Sequence, residues 1–277
     1  MSIIAASLLQ AAASLGNVPA PVHVWRFLCA LDDLVGHVSP TPWGAVVSAP
    51  RFPQVWDVNY ARVDAQVAVT GAAVLAELTP VVSSVGASHL HVVIADEEVH
   101  RDLLADLSTA GHGVSWDQVM TSGAKAIIPS ARPSTREVEE FVTAAAQREA
   151  ITMMADTFGI NPGAGYAQTI SLETDELVPA GKRWFGIRDD AGSVVSVGAV
   201  LVLDGVGYLD GIATRPAERG RGYASATTAA LCAAAARAHV TRTFLLADPE
   251  APAVVRMYER LGFRRAGLIA STKAPVT

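Results

Sequence analysis

The chain has 277 residues, 51% of them hydrophobic and 17% charged, and a formal net charge of −6. That apolar content suits packed cores and excludes a disordered chain, and the length suits two domains of the usual ~100–150 residues. The negative balance offers nucleic acid no electrostatic footprint, and Cys29 and Cys232, without CxxC or Cys/His spacing, indicate neither a disulfide scaffold nor a zinc site.

Met1–Gly16 is apolar, but no Lys or Arg precedes Arg26, where a secretory signal needs positive charge. It therefore reads as a core helix, and no run reaches the ~20 apolar residues of a membrane span. A cytoplasmic protein is expected. Gly44–Ala49 and Val55–Val63 read as strands, Val69–Val82 as a helix, His89–Ala95 as a strand, Glu97–Ala110 as a helix and Val114–Thr121 as a strand. His89 and His91 alternate on their strand without a third ligand, so no metal is expected. Trp43, Trp56, Trp116, Phe52 and Tyr60 read as core.

From Ala124 to Pro133 periodicity gives way to Pro129, Ser130 and Pro133, the composition of a linker, which places domains at 1–130 and 131–277. Ser134 and Glu137 have capping-box spacing, and Val138, Phe141, Val142 and Ala145 recur at helical intervals, so a helix is expected to open the second domain. Another helix is expected over Ala164–Leu177. Arg183–Arg188 and Val194–Asp204 read as a hairpin whose turn puts Gly192 at a positive-φ position. Gly207–Thr214 is a strand closed by Pro216, and the alanine-rich run Ala224–His239 is a helix.

Between that strand and helix stands Arg219-Gly220-Arg221-Gly222-Tyr223-Ala224. Two glycines let backbone approach a ligand, and the first helical turn presents unpaired N–H groups at the positive end of the macrodipole, so the segment reads as an anion cradle. It lacks the lysine and Ser/Thr of a P-loop and the third glycine of a dinucleotide fingerprint. A strand, Thr243–Ala247, and a helix carrying Tyr258-Glu259-Arg260-Leu261-Gly262-Phe263 follow.

Arg-x-x-Gly-x-Ala followed by Tyr-x-x-x-Gly-Phe resembles the GNAT superfamily of acyl-CoA-dependent N-acyltransferases over residues 131–277. The resemblance implies an α/β (α+β) fold of two tandem GNAT-like domains, each a mixed, mostly antiparallel sheet flanked by helices. The first copy is expected to be degenerate, since nothing after Val63 resembles the loop. The resemblance further implies acetyl-CoA as cofactor. Its pyrophosphate would lie on backbone from Arg219, Gly220, Arg221, Gly222, Tyr223 and Ala224, and its pantetheine arm along Ile212, Ala213 and Thr214.

Tyr258 matches the family's helix tyrosine that protonates the leaving thiolate. Asp210 is the best carboxylate for the amine's proton, and it shares a side with Ile212 if no bulge intervenes. Ala251 stands where many members carry Asn. Fourteen residues follow Phe263, so the last strand is expected to be short, or supplied by the other domain or by another chain, a homodimer being one arrangement allowed. The acceptor would be a small-molecule amine or a peptide or protein amino group. The rival is an inactive acyl-CoA-binding sensor or protein-interaction module.

Overall fold

A computed structural model of the chain describes residues 20–96, 99–123, 136–160 and 163–276. The expectations for Met1–Gly16, for the linker Ala124–Pro133 and for Ser134 lie outside those residues. The chain forms two compact units, one holding residues up to Trp25, Val35–Val119 and those from Ala266 onward, the other Arg26–Leu34 and Met120–Arg265. Helix α1, Val22–Val35, runs across the first change of unit. Among the described residues no helix is long and apolar enough to cross a membrane.

In the first unit the strands β1 (His37–Thr41), β2 (Gly44–Ser48), β3 (Tyr60–Val63), β4 (His89–Ile94) and β5 (Gly113–Gly123) are joined by helices α2 (Gly71–Ser84) and α3 (Arg101–Thr109). α2 is the crossover between the parallel β3 and β4, and the Thr70 side chain caps it by accepting from Ala73 N–H at 3.2 Å. Val74, Leu78, Leu103 and Leu107 from the helices pack on Val46, Ala61, Val92 and Ile94 from the strands. The strand expected over Val55–Val63 is one 3₁₀ turn, Trp56–Val58, and then β3. The cause is Asn59, fully buried, whose side chain donates to Phe52 O and Val55 O and accepts from Ala49 N–H. Those bonds hold the segment in a loop that a ladder would have straightened.

The second unit contains β6 (Glu139–Glu140), α4 (Ala144–Thr157), α5 (Ala164–Leu172), β7 (Arg183–Arg188), β8 (Val194–Leu203), β9 (Val206–Thr214), α6 (Tyr223–Arg237), β10 (Arg242–Ala247) and α7 (Pro252–Arg260). β6 to β9 form antiparallel pairs, and β10 lies parallel to β9. The helix expected through Val138–Ala145 is instead β6 and the start of α4. Glu139 and Glu140 pair with Gly186 and Phe185, and Phe141 N–H continues the ladder to Trp184 O at 2.9 Å. The apolar spacing that suggested a helix seats Phe141 against Gly186, where an added Cβ would lie 2.7 Å from its ring. Gly192 does turn the β7–β8 hairpin at φ +83°. One apolar layer, including Leu209, Leu231, Val255, Tyr258 and Phe263, lies on the α6 and α7 side; another, including Met153, Met154, Trp184, Val197 and Ala213, lies against α4.

The final strand, β11, runs twelve residues from Arg264 to Pro275. Its Ala270–Pro275 segment pairs antiparallel with His89–Ile94 of the first unit. In the second unit the place beside β10 is taken by the end of β5, where Thr243 Oγ1 donates to Ser122 O at 3.5 Å. Each unit is thus completed by a strand from a remote part of the sequence.

Candidate functional site

β9 and β10 start together and then part. Their parallel ladder runs from Val206 opposite Arg242 to Tyr208 opposite Phe244 and ends there, although β9 continues to Thr214 and β10 to Ala247. At the end of the ladder the Tyr208 and Phe244 rings stack at 4.7 Å, with Phe27 of α1 edge-on to Phe244 at 5.2 Å. Beyond these rings the β10-facing backbone edge of Leu209–Thr214 has no ladder partner in β10, an open edge of the kind that accepts an added strand. Ile212, Ala213 and Thr214 lie on it.

The chain leaves β9 through a 3₁₀ turn, Pro216–Glu218, and reaches α6 through Arg219 to Gly222. Gly220 and Gly222 take left-handed conformations, φ +78° and +81°, so the tight approach to the helix depends on the absence of side chains. The first bond of this helix cap runs from Ala226 N–H to Gly222 O at 3.0 Å; the amides of Tyr223, Ala224 and Ser225 precede it and have no helical acceptor. A Cβ built on Gly220 would meet nothing within 4 Å, so that side of the loop is open. Arg219 Nε donates to Thr214 O at 3.3 Å, Arg221 pairs with Glu218 at 3.0 Å, and the buried Tyr223 hydroxyl accepts from Arg136 Nε at 3.1 Å. The sequence segment read as an anion cradle therefore has the loop-to-helix geometry expected of it.

Tyr258 lies on α7 in the same apolar layer as Ile212, with Phe263 edge-on at 6.0 Å. Burial pushes its phenol well above the ordinary range, so it is a protonated group at neutral pH. Ala251 precedes α7 without a side-chain cap.

Asp210 is elsewhere. At Gly211 β9 makes a bulge: Ala199 pairs with Asp210 and Val197 with Ala213, leaving Gly198 opposite two residues. Gly211 has φ +60°, and an added Cβ would lie 2.9 Å from the Trp184 ring. The extra residue reverses the alternation, so Asp210 and Ile212 point to opposite faces, contrary to the condition under which the sequence put them on one side. Ile212 packs toward α6, whereas Asp210 meets Lys182, Gly211 and Tyr208.

Lys182 Nζ donates to Asp210 Oδ2 and to Glu173 Oε1, both at 2.7 Å, and lies 5.4 Å above the Trp184 ring. Its side chain is 2% exposed and that of Glu173 8%, while Asp210 is 34% exposed. Burial works to raise the Asp210 pKa, but Lys182, helped by Gly211 N–H and the Tyr208 hydroxyl, outweighs it and holds the carboxyl below its usual range. Burial dominates at Glu173 and raises it, with Lys182 opposing and Asp210 adding. At Lys182 burial alone would lower the pKa, and the two carboxylates reverse that.

Neither Lys182 nor Glu173 is conspicuous as a motif. Only three of the chain's 21 Lys and Arg residues are lysines, however; a compact ammonium just before a strand, where arginine is the habitual cation, was the signal available. Glu173 opens a π-helical turn, Glu173–Leu177, closed by Val178 N–H to Glu173 O at 2.9 Å. Such turns redirect one side chain and often occur at functional sites.

Residues 150–263 match the family model of the acetyltransferase (GNAT) family. No curated protein matches the chain. Among solved structures it is similar to a conserved protein of unknown function from Staphylococcus epidermidis (TM-score 0.71, 13% identity, 88% of this chain and 96% of that one). It is also similar to a GCN5-related N-acetyltransferase from Kribbella flavida (0.65, 19%, 91% and 95%). A third is a tandem GNAT protein from the clavulanic acid biosynthesis pathway (0.53, 13%, 74% and 69%). At these identities the likeness speaks for the fold alone.

Proposed function

We propose, from the GNAT acetyltransferase domain at residues 150–263 and the open edge of β9, that the protein is an N-acetyltransferase. It moves the acetyl group of acetyl-coenzyme A to a primary amine of a small molecule or a peptide, by direct attack in a ternary complex. The observation that carries this reading is the glycine-turned loop at the head of α6, following directly on a strand edge that β10 leaves unpaired. Its donors are backbone amides and two arginines, suited to a diphosphate. The residues present therefore fit coenzyme A.

In this reading the amides from Arg219 to Ala224 hold the pyrophosphate, and the edge of Ile212, Ala213 and Thr214 holds the pantetheine amides. When bound, the cofactor supplies an acetyl group activated as a thioester. Ile212 N–H stabilises negative charge on the acyl oxygen. Asp210 takes a proton from the incoming ammonium, since only the neutral amine attacks. Tyr258 gives its proton to the departing sulfur. The bulge at Gly211 suits this division, because it turns Asp210 to the face of β9 opposite the layer that holds Ile212 and Tyr258. The first unit is read as a degenerate second copy of the domain, motivated by its parallel pair β3–β4 bridged by a helix.

Calorimetry with coenzyme A and acetyl-coenzyme A tests the cradle, and thiol release over a panel of amines tests the chemistry. Heat of binding with thiol release above background is expected. Binding without release favours the acyl-CoA-binding module, a reading that the uncapped Ala251 keeps in view; absence of heat at millimolar ligand overturns both. Gly220→Ala is a sharper probe. Its Cβ meets no protein atom, so the left-handed φ should cost only about 1 kcal/mol of stability, read as a small shift in Tm. Coenzyme A affinity should fall by about tenfold or more, because the methyl group occupies the space a phosphate needs.

A further inference from the structure

The cluster of Glu173, Lys182 and Asp210 in the second unit holds two carboxylates against one ammonium, each at 2.7 Å. Glu173 Oε1 is the far end, Lys182 the middle, and Asp210 the end that reaches solvent. Glu173 Oε2 is buried and has no hydrogen-bond partner in the protein, as is Trp184 Nε1 beside the same lysine. A carboxylate with an idle buried oxygen is an expensive way to anchor a lysine that Asp210 already binds. Replacing it by an apolar side chain would leave Lys182 and Asp210 as a neutral pair.

We propose that Glu173 and Lys182 extend the site as a proton relay behind Asp210, with Glu173 as the seat in which the acceptor's proton is stored. This rests on the reading of Asp210 as the group that faces the amine. The acceptor's N–H bond breaks as its proton moves to Asp210. One N–H bond of Lys182 breaks as that proton passes to Glu173, and Lys182 takes the proton from Asp210 in its place. The amine keeps its electron pair, Lys182 remains an ammonium and Asp210 a carboxylate, and only Glu173 has changed, to a neutral carboxylic acid. The same steps in reverse return the proton to Asp210 and solvent after product leaves.

Charge and burial set the direction. Before the transfer the cluster carries one net negative charge, most of it out of water; afterwards it is neutral. The proton belongs on the carboxylate with the least water, which is Glu173 at 8% exposure against 34% for Asp210. The charged groups acting on Glu173 are Lys182, from the start of β7, and Asp210, from β9. On α4, which packs against the π-helical turn, Asp156 accepts from the Tyr166 hydroxyl at 2.9 Å and Glu149 pairs with Arg188 at 2.7 Å. Lys182 and Glu173 are positioning residues, since neither touches the amine.

Two measurements test the relay. The first is kinetic. Glu173→Gln should lower kcat/KM for the amine by about tenfold to a hundredfold at neutral pH with coenzyme A affinity unchanged. The acidic limb of its pH profile should move to lower pH, because the limb set by the raised Glu173 is gone and Asp210 titrates below it. The solvent-deuterium proton inventory, bowed for a relay of several protons, should become linear. A purely structural glutamate would lower stability and leave the shapes of both curves alone.

The second needs neither turnover nor a variant that folds: infrared titration of the apo wild-type protein carrying 13C at its glutamate carboxyls. The first buried carboxylic-acid band to appear on acidification should shift with that label. A band that follows an aspartate label, or none before the protein unfolds, overturns the relay whatever the enzyme does. Absence of thiol release with any amine overturns the acetyltransferase reading, and the relay with it, even where the infrared band is found.

Discussion

If Tyr258 is the general acid proposed above, Tyr258→Phe is expected to lower kcat by about 10²–10⁴-fold, the usual range for such a group. Coenzyme A affinity by calorimetry and the folded state should be unchanged. The phenol sits 5% exposed among Leu209, Val255, Leu261 and Phe263, and phenylalanine keeps that packing. What is lost is one proton. An exposed phenol ionises near pH ~10, and burial holds Tyr258 above that, so it remains an acid through any working pH. The same dry surroundings strengthen a thiolate's demand for a proton. Activity of the wild type should therefore show no basic limb from this residue, and a variant with undiminished kcat would remove Tyr258 from the chemistry.

Lys182→Met should be the most destabilising single change at the site, by about 3–5 kcal/mol, the cost of stripping a buried charge of its partner. Methionine fills much the same volume over the Trp184 ring, so the loss is electrostatic. It should also depend on pH. Without Lys182, Glu173 is a buried carboxyl whose folded pKa rises further, and such a group favours the folded state when protonated. Its contribution is present below the unfolded pKa of about 4.3 and is lost as pH rises through the folded value. Melting temperatures at pH 5 and pH 8 should accordingly show the smaller deficit at pH 5. A deficit that is equal at both would mean that Glu173 is not the group left stranded.

The turn from β9 into α6, proposed above as the cofactor cradle, was legible as a loop and helix start because local chemistry dictates it: only glycine takes φ near +80° cheaply, and two glycines beside an alanine-rich run announce a turn and a helix start. The strand, helix, strand and helix around it followed from period and composition, as did the mixed, mostly antiparallel architecture. The cluster of Glu173, Lys182 and Asp210 was not legible, for three physical reasons. Asp210 and Ile212 look like neighbours on one face until Gly211 inserts itself; a glycine in a strand often marks a bulge, but only the cross-strand register decides whether one forms. Glu173 is hidden in what reads as an uninterrupted helix, since a π-helical turn has no composition of its own. Lys182 gains its meaning from a partner 28 residues away. Val138 and Phe141 misled because a spacing of three marks one face of a helix, whereas here the extended chain sends them to different apolar layers, each of which needs an apolar side chain.

The strand exchange bears on synthesis. β4, whose Val92 and Ile94 are fully buried, keeps a bare edge until Ala270–Pro275 emerges from the ribosome nearly two hundred residues later. The first-made half of the protein therefore cannot settle ahead of the second, as successive domains commonly do during translation. Through that interval the edge of β4 lacks the partner that covers it in the finished fold, and an uncovered edge is a template for other strand-seeking polypeptides.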